Sequence, residues 1–193
     1  MDIVAKIKKQ PSWFSQPNPD HIAHLYQSED ELIASLTEFI RVGIKRGETC
    51  IIITTAEHAF QLEERLSSVN VNLAEARQSG YCKAYDASET MAMFMRNNLP
   101  DPKLFADVIG RLVRDALSKN KPVRAFGEMV ALLWKDGNQD GVAQLEALWD
   151  DLVRNSAISL YCAYPRMYFD KTIHGEMLGE ISRLHSSVTP VFA

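Results

Sequence analysis

Apolar positions along the chain form short runs that alternate with stretches of helical spacing. The most apolar run, residues 49–54, carries three consecutive isoleucines and is apolar on both faces, which is typical of a central strand in a parallel sheet. Similar short runs predict further strands at residues 21–26, 81–85, 122–127 and 157–163.

Apolar residues three and four apart predict helices in the segments between these runs. Ser28 followed by Glu31 is a capping-box spacing that marks the start of the first helix, and Thr54 with Glu57 repeats it before the second. The helices are predicted at residues 29–46, 56–66, 73–79, 88–96, 102–117, 129–135, 142–154 and 173–185.

Strands that alternate with helices in this way predict right-handed crossovers and a sheet covered by helices on both faces. We therefore expect an α/β fold, a three-layer α/β/α domain at residues 20–193 with a mainly parallel sheet of about five strands. Residues 1–19 hold three prolines around Trp13 and Phe14 and are expected to form an N-terminal arm. The strand order stays open at this level.

The composition of the chain argues against some classes of binding partner and against a membrane span. The net charge of -4 argues against non-specific binding to nucleic acid, which needs a concentrated basic face. No apolar run reaches the length of a membrane span, and no apolar segment follows the N-terminal lysines, so we expect a cytoplasmic protein. Cys50, Cys82 and Cys162 lie far apart and are expected to be reduced, buried thiols.

Candidate chemistry lies where the strands end, because open parallel sheets bind ligands beyond the carboxyl ends of their strands. Several strand ends carry polar or aromatic residues, and two carry carboxylates, Asp86 and Glu128. The residues proposed as ligand-binding are His21, Tyr26, Thr54, Asp86, Arg124, Glu128, Trp134 and Tyr164.

The turn after the first strand excludes the usual phosphate-binding loop. Residues 26–31 contain neither glycine nor lysine, and Glu29, Asp30 and Glu31 place three consecutive acids at a helix N-terminus. Such acids complement the helix dipole and repel a phosphate. The sequence also lacks a G-x-G-x-x-G motif, so nucleotide hydrolysis by a P-loop mechanism is not expected.

Arg124 lies in an apolar strand, where a charge needs a partner. One interpretation is a structural salt bridge with Asp86 or a helix carboxylate, and the other is a contact with an anionic or polar ligand. Glu128 also has alternatives, which are a cap of the following helix, a general base or a hydrogen-bonding group for a ligand. Trp134 is expected either in the core or in the wall of an apolar pocket.

The spacing of the histidines, cysteines and acidic residues along the chain does not predict a metal or cofactor site. His21 and His24 are three apart in a strand and so face opposite sides, and no zinc-ligand motif occurs. No G-x-S-x-G segment marks a nucleophilic serine. His185 is expected to be a surface or packing histidine.

Several segments in this order resemble the MEDS domain family, named for methanogen and methylotroph proteins and the DcmR sensory domain. They are HIAHLY at 21–26, the glycines at 43 and 47, DA at 86–87, PD at 100–101, RAFGEMVALLW at 124–134, LEALW at 145–149 and LYCAYP at 160–165. Asp150 departs from the asparagine of the pattern, and His24 is not part of it.

The resemblance implies a fold similar to RecA and KaiC with a degenerate phosphate loop. It also implies a sensory, non-enzymatic domain for a small hydrocarbon-like or one-carbon compound, without a cofactor. Such domains are often joined to histidine kinases or helix-turn-helix segments, so this chain is expected to act in trans on a histidine kinase or transcription regulator, or to form a homo-oligomer.

Two other function classes remain open. A scaffold protein with a decayed pocket would have no cavity above the carboxyl edge of the sheet. A small-molecule enzyme that used Glu128 or Asp86 would have a convergent site with perturbed carboxyl pKa values. A sensor is expected to have a closed pocket there, walled by aromatic residues, with few polar groups and no reactive pair.

Overall fold

The structure is a computed structural model that describes residues 20–168 and 175–189, so the predicted arm at residues 1–19 lies outside the described residues. The strands are β1 (Asp20–Tyr26), β2 (Thr49–Thr54), β3 (Cys82–Asp86), β4 (Met95–Arg96), β5 (Leu99–Pro100), β6 (Val123–Gly127), β7 (Ile158–Pro165) and β8 (Ser187–Thr189). The helices are α1 (Glu29–Lys45), α2 (Ala56–Ser68), α3 (Leu73–Gln78), α4 (Ala87–Phe94), α5 (Pro102–Leu117), α6 (Met129–Lys135), α7 (Gln139–Arg154) and α8 (Gly175–Leu184), with a 3₁₀ turn at Arg166–Tyr168.

The main sheet of the described residues has six strands in the order β3-β2-β6-β7-β1-β8, and all neighbours are parallel. The predicted three-layer α/β/α architecture is thereby confirmed. The sixth strand, β8, was not predicted because its three residues are too few for a periodic pattern.

A short antiparallel hairpin, β4–β5, replaces the end of the helix predicted at residues 88–96. Its turn residues Asn97 and Asn98 both have positive φ values, 49° and 65°. Two such residues in succession favour the tight turn that joins hairpin strands, and asparagine tolerates this conformation better than most residues. The turn therefore ends α4 at Phe94.

Each face of the sheet carries its own apolar core. Side chains alternate along a strand, so Ile51 and Ile53 face the core formed with α4–α8, whereas Cys50 and Ile52 face the core formed with α1–α3. The strands β1, β2, β6 and β7 are buried on both sides along most of their length, as expected for covered parallel strands.

The predicted starts of α1 and α2 are correct, but the predicted cap residue is correct only at α1. Ser28 Oγ accepts from the Glu31 N–H at 3.3 Å. At α2 the cap is Thr55, whose Oγ1 accepts from the His58 N–H at 3.3 Å. Thr54, the predicted cap, is the last residue of β2 and directs its hydroxyl elsewhere.

Arg124 is a structural residue whose partner is Glu48 instead of Asp86. Its side chain is buried with 1% of its surface exposed, and its Nε donates to Glu48 Oε2 at 2.5 Å. Its Nη1 donates to the Phe39 carbonyl at 2.8 Å, and the guanidinium lies 4.6 Å from the centre of the Phe39 ring. A Cβ at Gly43 would approach Arg124 Cδ to 2.6 Å, so this position on α1 needs a glycine.

The three cysteines are free and buried, as predicted. None of the helices in the described part of the chain combines the length and the apolar character needed to cross a bilayer.

Removal of the Glu48 carboxylate should destabilise the protein strongly, because it leaves the Arg124 charge buried without its partner. We expect Glu48→Ala to lower the free energy of unfolding by roughly 3–5 kcal/mol in urea denaturation. The matched control is Glu63→Ala, which removes the partner of Arg77 from an exposed ion pair with an N–O distance of 3.2 Å. The control should cost about 1 kcal/mol or less, and equal losses in the two variants would contradict the structural role of Glu48.

Candidate functional site

A cleft lies at the carboxyl edge of the sheet, between the ends of β2 and β6. The chain leaves the two neighbouring strands towards opposite faces of the sheet. The helix after β2, α2, packs in one core, and the helix after β6, α6, packs in the other. Such divergence opens a crevice where α/β proteins commonly bind ligands. The cleft has a volume of about 270 Å³. Its lining consists of Tyr26, Glu29, Thr55, Glu57, His58, Glu128, Ala131, Leu132, Lys135 and Pro165.

Glu128, directly after β6, joins the two sides of this crevice. Its Oε2 accepts from the Thr54 hydroxyl at 2.5 Å and from the Thr55 N–H at 3.0 Å. Its Oε1 accepts from His58 Nδ1 at 2.6 Å. Glu128 occupies the N-cap position of α6, but its side chain reaches across to β2 and α2, so the capping role considered for it is wrong.

His58 lies between two carboxylates. Its Nδ1 contacts Glu128, and its Nε2 lies 2.5 Å from Glu29 Oε2 on the first turn of α1. An imidazole that donates from both nitrogens is protonated. The hydrogen bond to Glu128 raises the pKa of His58 above its ordinary value of 6.5, with burial opposing the shift and the charges of Glu128 and Glu29 adding to it.

Glu128 is held in the ionised form by the same contacts. Burial alone would raise the pKa of its carboxyl group, but the hydrogen bond and charge of His58, helped by Thr54 and Thr55, outweigh burial and lower it below 4.5. A buried carboxylate with this many donors is stabilised as an anion. The pair at the base of the cleft is therefore an ion pair.

The turn after β1 offers little to a phosphate. The Gln27 N–H donates to Glu31 Oε2 at 2.9 Å, and the Glu31 N–H donates to Ser28. Two backbone donors of this turn are thus engaged locally and are not directed at a phosphate. Glu29 and Glu57 add negative charge to the same end of the cleft.

Three of the predicted site residues meet at this cleft. Tyr26 and Glu128 line it, and Thr54 binds the Glu128 carboxylate from the end of β2. The cleft is more polar than the aromatic-walled pocket with few polar groups that was expected for a sensor, since charged side chains such as Glu128 and His58 line it.

Two further predicted residues, His21 and Tyr164, lie on the α4–α8 face of the sheet, in a separate buried cluster. The Tyr164 hydroxyl donates to Glu146 Oε1, and His21 Nε2 lies 3.5 Å from Glu146 Oε2. Burial, together with the neighbouring His185, lowers the pKa of His21 to about 3 and so favours the neutral imidazole. His185 is buried in the same cluster, which agrees with a packing position and not with a surface one.

The other three predicted residues do not belong to the lining of the cleft, as far as the described part of the chain shows it. Asp86 caps α4, where its Oδ1 accepts from the Glu89 N–H at 2.9 Å. Trp134 is buried in the core on the α4–α8 face, which is the first of its two alternatives. Arg124 binds Glu48 near the start of β6.

Sequence reasoning missed His58, the residue that completes the site. It lies in the first turn of α2 and belongs to no recognisable motif. The only indication in the sequence is its position three residues after the cap Thr55, which places it in the helix turn next to the strand ends. Glu29 was noted for its charge, but its partner on another helix was not predictable.

Comparison with known proteins identifies a family and a fold. The family model described as "MEDS: MEthanogen/methylotroph, DcmR Sensory domain" matches residues 20–186. No curated protein is a significant match in sequence.

Two solved structures resemble the chain at low identity. The KaiC-like protein PH0186 from Pyrococcus horikoshii has a TM-score of 0.57 at 13% identity, covering 89% of this chain and 71% of the other. The flagellar accessory protein FlaH from Methanocaldococcus jannaschii has a TM-score of 0.58 at 11% identity, covering 93% and 76%. At such identities the likeness establishes the RecA/KaiC-like fold alone.

The His58–Glu128 ion pair should give the protein a pH-dependent increment of stability. The increment from His58 is complete below its unfolded pKa of 6.5 and disappears as pH rises through its higher folded pKa. The increment from Glu128 is complete above its unfolded pKa of 4.5 and disappears as pH falls through its lower folded pKa. The stability difference between wild type and His58→Gln should therefore be largest between these ordinary values, at roughly 1–3 kcal/mol.

Urea denaturation across the pH range measures this difference. Gln61→Ala, on the same helix and without a titratable group, is the control whose difference from wild type should stay constant with pH. A His58→Gln difference that is also independent of pH would contradict the ion pair.

Proposed function

The chain belongs to the MEDS family of sensory domains, and on this premise we propose that it senses a small molecule in the cleft between β2 and β6. The observation that carries the proposal is His58 held between Glu128 and Glu29 in the lining of this crevice. On this proposal the chain is a regulatory module that acts in trans on a histidine kinase or a transcription regulator.

The lining of the cleft favours a small uncharged ligand. Ala131, Leu132 and Pro165 supply an apolar wall, and His58 supplies a hydrogen-bond donor. The carboxylates of Glu29, Glu57 and Glu128 outnumber the cationic side chains of His58 and Lys135 in the lining, so the net charge of the cleft disfavours a phosphate ester. A volume of about 270 Å³ has room for a small organic molecule, and a one-carbon compound would fill only part of it.

The geometry supports binding over catalysis. A general base needs a lone pair within reach of the substrate proton. The Glu128 carboxylate accepts three hydrogen bonds, and both nitrogens of His58 face carboxylates. Their opposing pKa shifts hold both groups in their charged forms.

Glu29 offers a route for the signal. Its side chain is 59% exposed, so a ligand can compete with it for His58 Nε2 while Glu128 keeps Nδ1. Release of Glu29 would loosen the contact between the first turns of α1 and α2, which pack side by side on one face of the domain. A ligand that prefers this released state shifts the population towards it. The surface of α1 and α2 is then the output surface for a partner or a second copy.

The scaffold alternative has less support, because a protein that only presents its helices needs no cleft at this edge. Free, buried thiols fit a reducing compartment, which supports action in the cytoplasm.

Ligand titrations on the full chain test the proposal. Methanol, formamide and dichloromethane serve as uncharged one-carbon probes, and ATP with Mg²⁺ serves as the phosphate probe. We expect at least one uncharged probe to raise the melting temperature in a concentration-dependent way, and ATP to have no such effect. Glu29→Gln weakens the competitor of the ligand and should lower the half-effective concentration about tenfold, whereas His58→Gln should raise it by a similar factor.

The control for these titrations is Asp30→Asn, which changes a neighbouring carboxylate that is 98% exposed and lies outside the cleft lining. Its response should match that of wild type. Stabilisation by ATP at the cleft, or a probe response that His58→Gln leaves unchanged, would contradict the proposal.

A further inference from the structure

Four buried side chains that the proposed sensing site does not use converge on the other face of the sheet. They are His21 on β1, Glu146 on α7, Cys162 on β7 and His185 directly after α8. One donor atom of each lies within 4.8 Å of the donor atoms of the others. We refer to these four residues as the His–Glu–Cys cluster.

Glu146 is a buried acidic side chain surrounded by groups that can ligate a metal. It lies in the apolar stripe of α7 with Val142, Leu145 and Trp149, and only 1% of its surface is exposed. A buried carboxylate is costly unless it is paired or coordinates a metal. Among the described residues, Glu146 Oε2 and His185 Nε2 have no hydrogen-bond partner, although both point into the cluster.

Three of the distances between donor atoms match the edges of a tetrahedral zinc site, and all pairs lie within 4.8 Å. Glu146 Oε2 lies 3.5 Å from His21 Nε2 and 3.4 Å from His185 Nε2, and Cys162 Sγ lies 3.6 Å from His21 Nε2. Zn–N bonds of about 2.0–2.1 Å and a Zn–S bond of about 2.3 Å give tetrahedral edges of about 3.3 Å between N and O and about 3.6 Å between N and S.

The outer contacts of the ligands are those of a prepared metal site. His21 Nδ1 lies 3.1 Å from the Leu184 carbonyl, and His185 Nδ1 lies 2.7 Å from the Ile181 carbonyl. Each imidazole therefore donates from Nδ1 and presents the lone pair of Nε2 to the cluster. The second carboxylate oxygen of Glu146 accepts from the Tyr164 hydroxyl. Metal-bound histidines and carboxylates are commonly fixed by contacts of this kind.

We propose that the His–Glu–Cys cluster binds one Zn²⁺ ion. A thiolate, a carboxylate and two neutral imidazoles balance the charge of the ion, which suits a site where all four side chains are buried. A mixed N, S and O donor set with tetrahedral spacing favours zinc over the harder magnesium and calcium ions. Four protein ligands leave no open position, so the zinc is structural.

The metal has a route to the cluster. A surface pocket of about 630 Å³ lies at the amino end of β1, and its lining includes His21, His185 and Asp150. Two of the four ligands thus border a surface pocket, although their side chains are buried.

Zinc at this position would fasten the last described segment of the chain to the sheet. His185 joins α8 to β8, whereas the other three ligands belong to β1, β7 and α7. The segment is also held by the backbone bond from the Ser186 N–H to the His21 carbonyl at 2.8 Å, by the short pairing of β8 with β1, and by the burial of Ile181 of α8 in the core. Loss of zinc is expected to release α8 and β8 before the rest of the domain unfolds.

Metal analysis and Co²⁺ spectroscopy test the proposal. The full chain, purified without a histidine tag, should contain about one zinc per chain by mass spectrometry, and chelation should lower its melting temperature. Co²⁺ added to the chelated protein should produce the visible bands of tetrahedral cobalt and a thiolate charge-transfer band in the near ultraviolet. Cys162→Ser should abolish the charge-transfer band, and His185→Ala should weaken zinc binding by roughly 100-fold or more.

Cys82→Ser is the matched control, because Cys82 is a buried cysteine in β3 on the other core. It should keep both the zinc content and the charge-transfer band. Circular dichroism checks the fold of each variant, and the wild-type measurements decide the question if a variant does not fold. A wild-type chain that neither contains zinc nor binds Zn²⁺ or Co²⁺, or a band that Cys162→Ser retains, would overturn the proposal. The result is independent of whether the cleft binds a ligand.

Discussion

The carboxylate of Glu128 holds together the edge of the sheet at which β2 and β6 diverge. Desolvation of this group would be costly if it stood alone. Hydrogen bonds from Thr54, Thr55 and His58 offset that cost. The same bonds attach Glu128 to the end of β2, to the cap of α2 and to the first turn of α2, respectively. The shape and the charge of the cleft both follow from these bonds.

The same architecture in nucleotide-binding proteins uses the crevice to surround a phosphate with donors. In this chain the polarity of the crevice is reversed. Glu29, Glu57 and Glu128 place acceptors at its walls, and the N–H groups of Gln27 and Glu31 are engaged within their own turn. The fold thus keeps the crevice, but its lining differs from that of a phosphate site.

The sequence predicted what depends on local periodicity and missed what depends on how elements meet. Strand β2 was predicted with its observed ends, and Thr54 and Glu128 were found because strand ends share an edge. The partner of Arg124 was not predictable, since Glu48 is distant in sequence and contacts it only after α1 packs on the sheet. His185 carries no spacing signal for the same reason, because its neighbours in the buried cluster come from three other elements.

Strand β1 connects the two polar centres of the domain, with His21 near its amino end and Tyr26 at its carboxyl end. The two side chains point to opposite faces because their positions differ by five, an odd number, and side chains alternate along a strand. Insertion or deletion of one residue between them would turn one of the two away from its centre and break the pairing with β7 on that side. The chain can therefore change length in its connecting segments during evolution, but the length of this strand is fixed.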